Sequence, residues 1–246
     1  MVKNGYSIII PARYGSSRLP GKPLLQIKGK PLIQHVYETA SRTKAKEIII
    51  ATDNDDILNT ATSFGCRAIL TSEKHQSGTD RVAEIVEKLD FDDDEIIINL
   101  QGDEYGLQAE LIDSLASNLS LNIDSDVATL CEPIQNIDDY TDPNIVKVVF
   151  DKNNEALFFS RSPIPAETSG KLPVKAYRHI GLYAYRVNYL MKFTKFERCD
   201  LEKTEKLEQL RIIYNKGRIQ MMITDKAKGI GVDTEKDLQA ARSTKD

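Results

Sequence analysis

The chain is predicted to be an α/β protein, with a mainly parallel sheet, helices on both faces and a β-rich sub-domain. Three observations predict it. Up to about residue 125, apolar runs of strand length alternate with segments whose apolar residues recur at helical spacing. From there to about residue 199, β-prone runs follow one another with little helix between them. Between the first strand and the first helix lies a loop of small and cationic residues.

Tyr6–Ile10 is the first strand, and Pro31 suits the first turn of a helix carrying Leu32, Ile33, Val36, Tyr37 and Ala40 on one face. Glu47–Ala51 is a continuous apolar strand, after which Asp53 or Asn54 caps a helix ending near Gly65. Arg67–Leu70 is short and β-prone. Ser77 or Thr79 opens a helix with Val82, Ile85, Val86 and Leu89 in register, and Ile96–Leu100 is a further buried strand. Strands separated by single helices form a parallel sheet with right-handed crossovers. Ligands of such sheets bind outside the carboxyl ends of the strands, so the loops after Ile10, Ala51, Leu70 and Leu100 are expected to line one cleft.

In the second half, Val127–Glu132, Val146–Asp151, Ala156–Ser160 and His179–Arg186 are the β-prone runs, and Asp151-Lys-Asn-Asn is a hairpin turn. Leu201 to Lys216 is expected to be one helix ended by Gly217. Ile219–Thr224, Gly229–Val232 and a C-terminal helix capped at Asp233 or Thr234 complete the chain. The expected organisation is a single domain over 1–246. Residues 1–125 and 200–246 form its core, and 126–199 form a β-rich region.

Composition narrows the function classes. With 41% hydrophobic and 28% charged residues the chain is an ordinary globular protein, and a net charge of −4 argues against a nucleic-acid binder. The three cysteines form no C-x-x-C pair, which points to inert buried thiols in a reducing compartment. No signal-peptide pattern and no apolar run of membrane-spanning length is present, so a cytoplasmic protein without membrane insertion is expected.

The N-terminal loop, Ile10-Pro-Ala-Arg-Tyr-Gly-Ser-Ser-Arg-Leu-Pro-Gly-Lys-Pro, offers Arg13, Arg18 and Lys22 beside flexible backbone, which suits a triphosphate. It has neither the P-loop spacing nor the dinucleotide fingerprint. Asp103, just beyond a buried strand, suits a magnesium completed by phosphate oxygens, or equally a helix cap. Asp233, in Gly229-Ile-Gly-Val-Asp-Thr, has the same two readings. Ser77-Gly-Thr-Asp-Arg81 is a cap with an arginine, His179 is more readily structural than functional, and Arg161 has the fork that binds a carboxylate. Glu208 and Arg211 are placed to pair along a helix.

Taken in order, eight segments resemble the 3-deoxy-manno-octulosonate cytidylyltransferase family. They are the N-terminal loop, Ala51-Thr-Asp, Ser77-Gly-Thr-Asp-Arg, Asn99-Leu-Gln-Gly-Asp-Glu, Phe159-Ser-Arg, His179-Ile-Gly-Leu-Tyr-Ala-Tyr-Arg, Leu207-Glu-Gln-Leu-Arg and Gly231-Val-Asp-Thr. The resemblance implies a nucleotide-diphospho-sugar transferase-like fold. It also implies a magnesium-dependent reaction of CTP with the acidic octulosonate sugar Kdo, giving CMP-Kdo and pyrophosphate for lipopolysaccharide synthesis by a cytosolic homodimer. On the same resemblance, residues 1–125 and 200–246 would be the nucleotide-binding core and 126–199 the sugar-binding and dimerisation region. Arg13, Ser16 and Lys22 would then hold the triphosphate, with Ser77, Gly78, Thr79 and Arg81 beside cytosine and ribose. Asp103 and Asp233 would hold magnesium, and Gln101, Arg161, His179, Glu208 and Gln209 would surround the sugar. Arg13, Lys22, Asp103 and Asp233 would be the catalytic set. One departure stands out: the family usually continues Pro-Leu after Gln-Gly-Asp-Glu, whereas this chain has Tyr105-Gly106. An aromatic side chain is therefore expected near the sugar, and a variant sugar acid such as 8-amino-Kdo is the alternative substrate. A catalytically silent nucleotide-binding relative and a glycosyltransferase of similar topology are the other readings.

Overall fold

The computed structural model describes residues 5–15, 18–168, 171–173, 175–225 and 229–244. Its first half is built from β1 (Tyr6–Ala12), the ribbon β2 (Gln26–Ile27) and β3 (Lys30–Pro31), α1 (Leu32–Ala40), β4 (Ile48–Thr52) and α2 (Asp55–Ser63). There follow β5 (Arg67–Leu70), α3 (Gly78–Leu89), β6 (Ile96–Asn99), β7 (Glu104–Tyr105) and α4 (Ala109–Leu121). β5, β4, β1 and β6 lie side by side and parallel. β1 is central, so both faces are covered, which is why Ile8, Ile9 and Ile10 are all fully buried in an unbroken apolar run. Ile8 and Ile10 pack with α1, α2 and α4 on one face, and Ile9 packs with α3 on the other.

The helices begin where side chains meet their free N–H groups. The Asn54 side chain accepts from Asp56 N and Ile57 N at the start of α2. Ser77 and Asp80 form a capping box on α3.

The second half comprises β8 (Val127–Pro133), α5 (Ile137–Thr141), β9 (Lys147–Phe150), β10 (Ala156–Ser160), β11 (Tyr177–Arg186) and α6 (Val187–Phe193). It ends with α7 (Asp200–Glu205), α8 (Gln209–Tyr214), β12 (Ile219–Ile223), β13 (Ile230–Gly231) and α9 (Glu235–Ser243). β11 joins the halves. Its last residues pair with β6, its whole length pairs with β8, and Arg178 bridges to β9. β12 lies parallel to β8, so the chain's final third inserts into the same nine-stranded sheet. Within that sheet β11 and β10 run against the other strands. Thr234 and Asp237 cap α9 with a second capping box, so the cap there is Thr234 and not Asp233.

The single helix expected over Leu201 to Lys216 is two. Lys206 adopts a left-handed conformation (φ 55) between α7 and α8. The break is fixed from outside the segment. The Glu205 carboxylate accepts from Ser160 Oγ at 2.6 Å and Arg161 N at 2.9 Å, tying the end of α7 to β10. Arg211 then reaches back across the break to Glu202 at 3.1 Å. Among the described residues no helix is long and apolar enough to cross a membrane.

Candidate active site

A cleft of about 250 Å³ opens at the carboxyl ends of the parallel strands. Pro11 and Ala12 of β1, Ser77 and Gly78 at the start of α3, and Gln101–Asp103 after β6 form its walls, with Arg13, Arg18, Lys22 and Asp233 at its mouth. Gly102 lets these walls approach, because a Cβ there would lie 2.9 Å from the Pro11 carbonyl oxygen. The loop after β4 braces the cleft without lining it. Asp53 accepts from Tyr14 N at 3.0 Å and from Arg81 Nη2 at 2.7 Å, holding the cationic loop and the α3 arginine to one carboxylate. Arg81 is nearly inaccessible and also donates to Thr71 Oγ1, so it is rigidly placed at the cleft floor.

Asp103 and Asp233 are brought together by backbone pairing. β13 pairs with β7, matching Gly231 to Glu104, and Val232 N donates to the Asp103 carbonyl at 3.0 Å. The helix after Asp103 starts at Ala109 with Gln108 at its N-cap, which leaves Asp103 free of a capping role. Lys22 Nζ lies between the two carboxylates, 2.5 Å from Asp103 Oδ2 and 3.0 Å from Asp233 Oδ1, and Arg18 Nη2 is 3.1 Å from the same Asp233 oxygen. Burial works against the charge on Lys22, but Asp103 and Asp233 outweigh it and raise the lysine pKa. Glu104, beside this pair, has its carboxyl pushed up to about 7 by burial and by the charges of Asp103 and Asp233. Two carboxylate oxygens converging on one cation are a donor set that fits a hard divalent ion. Among the described residues no group of three or more acidic, histidine or cysteine side chains is arranged to hold a metal, so phosphate oxygens and water would complete the shell.

The residues expected around the sugar divide. Gln101 lines the cleft and donates to Asn99 at 2.9 Å; Thr79 donates to Glu208 at 2.7 Å, and Arg211 donates to the other Glu208 oxygen at 2.9 Å. Thr79 is thereby turned away from the cleft and into a buried network. Gln209 is buried at the start of α8. His179 lines a second cavity of about 410 Å³, beside Glu104, Asn144, Ile145, Val146 and Arg178, and Asp233 borders both cavities. The His179 ring sits edge-on to Phe159, against Tyr183, and within 3.0 Å of Thr129 Oγ1. Burial pushes its pKa down to about 3, so it is a neutral hydrogen-bonding group.

Arg161 lies in neither cavity. Its Nε donates to the Glu205 carbonyl at 2.8 Å and its Nη1 to the Pro143 carbonyl at 3.0 Å. The arginine that does line the second cavity is Arg178, bonded to Glu132 of β8, and its one signal in the sequence is its place beside His179 in the same run. Tyr105 also departs from expectation. Its ring packs edge-on against His35 of α1 at 5.1 Å and lines neither cavity, because the β7–β13 pairing turns Glu104 to the cavity and Tyr105 to the core. Ser16 lies outside the described residues.

A parallel sheet with a cationic loop after its first strand, a helix N-terminus facing it and two converging carboxylates define a nucleotidyltransferase-type cleft. The chain belongs to the cytidylyltransferase family, whose model matches residues 7–222. It is 48% identical to the 3-deoxy-manno-octulosonate cytidylyltransferase of Hahella chejuensis, with 98% of this chain and 97% of that protein covered. It is 45% identical to the enzyme of the same name from Coxiella burnetii (strain RSA 493 / Nine Mile phase I), covering 97% and 98%. A solved structure of CMP:2-keto-3-deoxy-manno-octonic acid synthetase complexed with CTP superposes with a TM-score of 0.89 at 40% identity, covering 97% of each chain. A putative glucose-1-phosphate thymidylyltransferase from Bacillus anthracis shares the fold alone, with a TM-score of 0.68 at 17% identity over 98% of this chain and 97% of that one.

Proposed function

We propose that this chain transfers the cytidylyl group of CTP to the anomeric hydroxyl of Kdo, giving CMP-Kdo and pyrophosphate, in the cytoplasm and as a homodimer, for lipopolysaccharide synthesis. The observation that carries the chemistry is the convergence of Lys22, Asp103 and Asp233 at the mouth of the cleft opposite the start of α3. Transfer of this kind depends on positioning and on offsetting charge, with no covalent nucleophile required. Arg13 and Lys22 offset charge on the departing pyrophosphate, and Arg81 with Ser77 and Gly78 holds the nucleoside end. Asp103 and Asp233 would hold magnesium, which when bound polarises the α-phosphate.

The sugar lies between Gln101 and His179, where the two cavities meet at Asp233. Glu208 and Gln209 lie at the start of α8, where Glu208 accepts from Thr79 and Gln209 is buried. A neutral His179 supplies hydrogen bonds and no charge, so the sugar carboxylate is matched by a guanidinium: Arg178 from within the second cavity, while Arg161 holds the Pro143 carbonyl next to Asn144 of that cavity's lining.

The test is pyrophosphate release from CTP and magnesium, run in parallel with Kdo, 8-amino-Kdo and a sialic acid. Kdo-dependent release is expected. Release with 8-amino-Kdo alone would keep the chemistry and replace the substrate. No release with any sugar, despite CTP binding, would favour a silent nucleotide-binding protein.

A further inference from the structure

We propose that Lys22 is an internal counter-ion that competes with divalent metal for Asp103 and Asp233, so that metal is captured only as a triphosphate draws the lysine away. The ammonium group occupies the point on which both carboxylates converge, 2.5 Å from one and 3.0 Å from the other. A divalent ion held by the same oxygens and the ammonium cannot share that point, and at such distances their repulsion is large. Lys22 is also well placed to leave. It opens a short 3-10 turn, Lys22–Leu24, set by Gly21 at φ 64, so its backbone is fixed while its long side chain swings. Arg13 and Arg18 line the same cleft, and a triphosphate bound among them would offer the ammonium new oxygens as it freed the carboxylates.

The arrangement differs from a preformed metal site. In a preformed site the metal binds first and recruits the nucleotide. Here the two carboxylates are already balanced by two cations, Lys22 between them and Arg18 at 3.1 Å from Asp233. Free metal gains little on entering. Metal carried in with a triphosphate gains both carboxylates and expels only a side chain that has a new partner. Lys22 thus makes the metal site conditional on the nucleotide.

The inference rests on the cytidylyl-transfer reading only for the identity of the metal and the triphosphate. Its test needs neither sugar nor turnover. Mn²⁺ binding to the nucleotide-free protein is measured by titration calorimetry and by electron paramagnetic resonance, for wild type, Lys22→Met, Lys22→Gln and Arg18→Gln, with folding checked by thermal melting. Both Lys22 variants are expected to bind one Mn²⁺ roughly tenfold or more tighter than wild type. Arg18→Gln, which relieves Asp233 alone, is expected to give a smaller gain. Adding Asp103→Asn to Lys22→Gln should remove the gain. The proposal is overturned if neither lysine variant binds tighter than wild type, or if the gain survives Asp103→Asn. Should both lysine variants fail to fold, Arg18→Gln decides, and an affinity no better than wild type counts against the proposal. Pyrophosphate release, assayed separately, carries the outcome for the enzymatic reading.

Discussion

His179 and Glu104 face the same cavity with opposite shifts, both driven by burial: the imidazole is held neutral and the carboxyl is pushed up to about 7. The histidine shift links stability to pH. Its folded pKa of about 3 lies below the ordinary 6.5, so between those values the unfolded chain binds the extra proton and stability falls as pH falls. Urea unfolding of wild type and His179→Gln from neutral pH to pH 4 should show the variant losing less, by up to about 1.4 kcal/mol per pH unit. Parallel curves would show that His179 is solvated or already charged. Asp103 and Asp233 carry a different expectation. Asp103→Asn or Asp233→Asn leaves Lys22 one carboxylate and so preserves the fold. Each should nevertheless lower turnover by more than the roughly 10–100-fold that losing an outer-shell partner costs. Near wild-type rates at saturating magnesium in either variant would sink the two-carboxylate assignment.

At the scale of elements, the cleft depends on β6 ending hard against β1. Gly102→Ala places a Cβ 2.9 Å from the Pro11 carbonyl, against backbone that cannot swing aside. It should cost about 1–3 kcal/mol, the range of an overpacked position, and weaken CTP binding along with stability. CTP titration of the purified variant checks this, and unchanged affinity would mean that the β1–β6 spacing does not shape the nucleotide site. These elements were legible in the sequence because their signals are local. β1, β4 and β6 each carry a run of three isoleucines, and Asn54, Ser77 and Thr234 announce the helices they cap. The site's cationic loop and its two aspartates were legible for the same reason, as charged residues flanked by glycine at strand ends. What failed was set by distant partners. Nothing in residues 201–216 encodes a left-handed Lys206, which follows from Glu205 binding Ser160 and Arg161. Arg161 carries the right chemistry but spends its guanidinium on the Glu205 and Pro143 carbonyls, and Tyr105 is turned to His35 by a two-residue pairing with β13.

At the scale of the molecule, the division near residue 125 visible in the sequence is not a division in packing. β11 pairs with β8 along one edge and with β6 and β9 along the other, so backbone hydrogen bonds cross the seam continuously. The cores cross it as well. One holds Ile8 and Ile10 with Leu130, Leu182 and Ala184; the other holds Ile9 and Val82 with Val148, Phe159 and Leu210. Neither region can lose its packing without exposing the apolar face of the other. Thermal unfolding should therefore be one cooperative transition, with calorimetric and van't Hoff enthalpies in agreement. Phe159→Ala makes the test directional, because Phe159 is fully buried in the β-rich region and far along the sheet from β4 and β5. The truncation should cost about 3–5 kcal/mol, which for a chain of this size lowers Tm by roughly 10 °C. A probe in the nucleotide half, such as hydrogen exchange of the β4 amides, should report the same loss. Two resolved transitions, or full protection of β4 in the Phe159→Ala protein at a temperature where β9 and β10 exchange freely, would make 126–199 an independent unit whose motions need not track the nucleotide site.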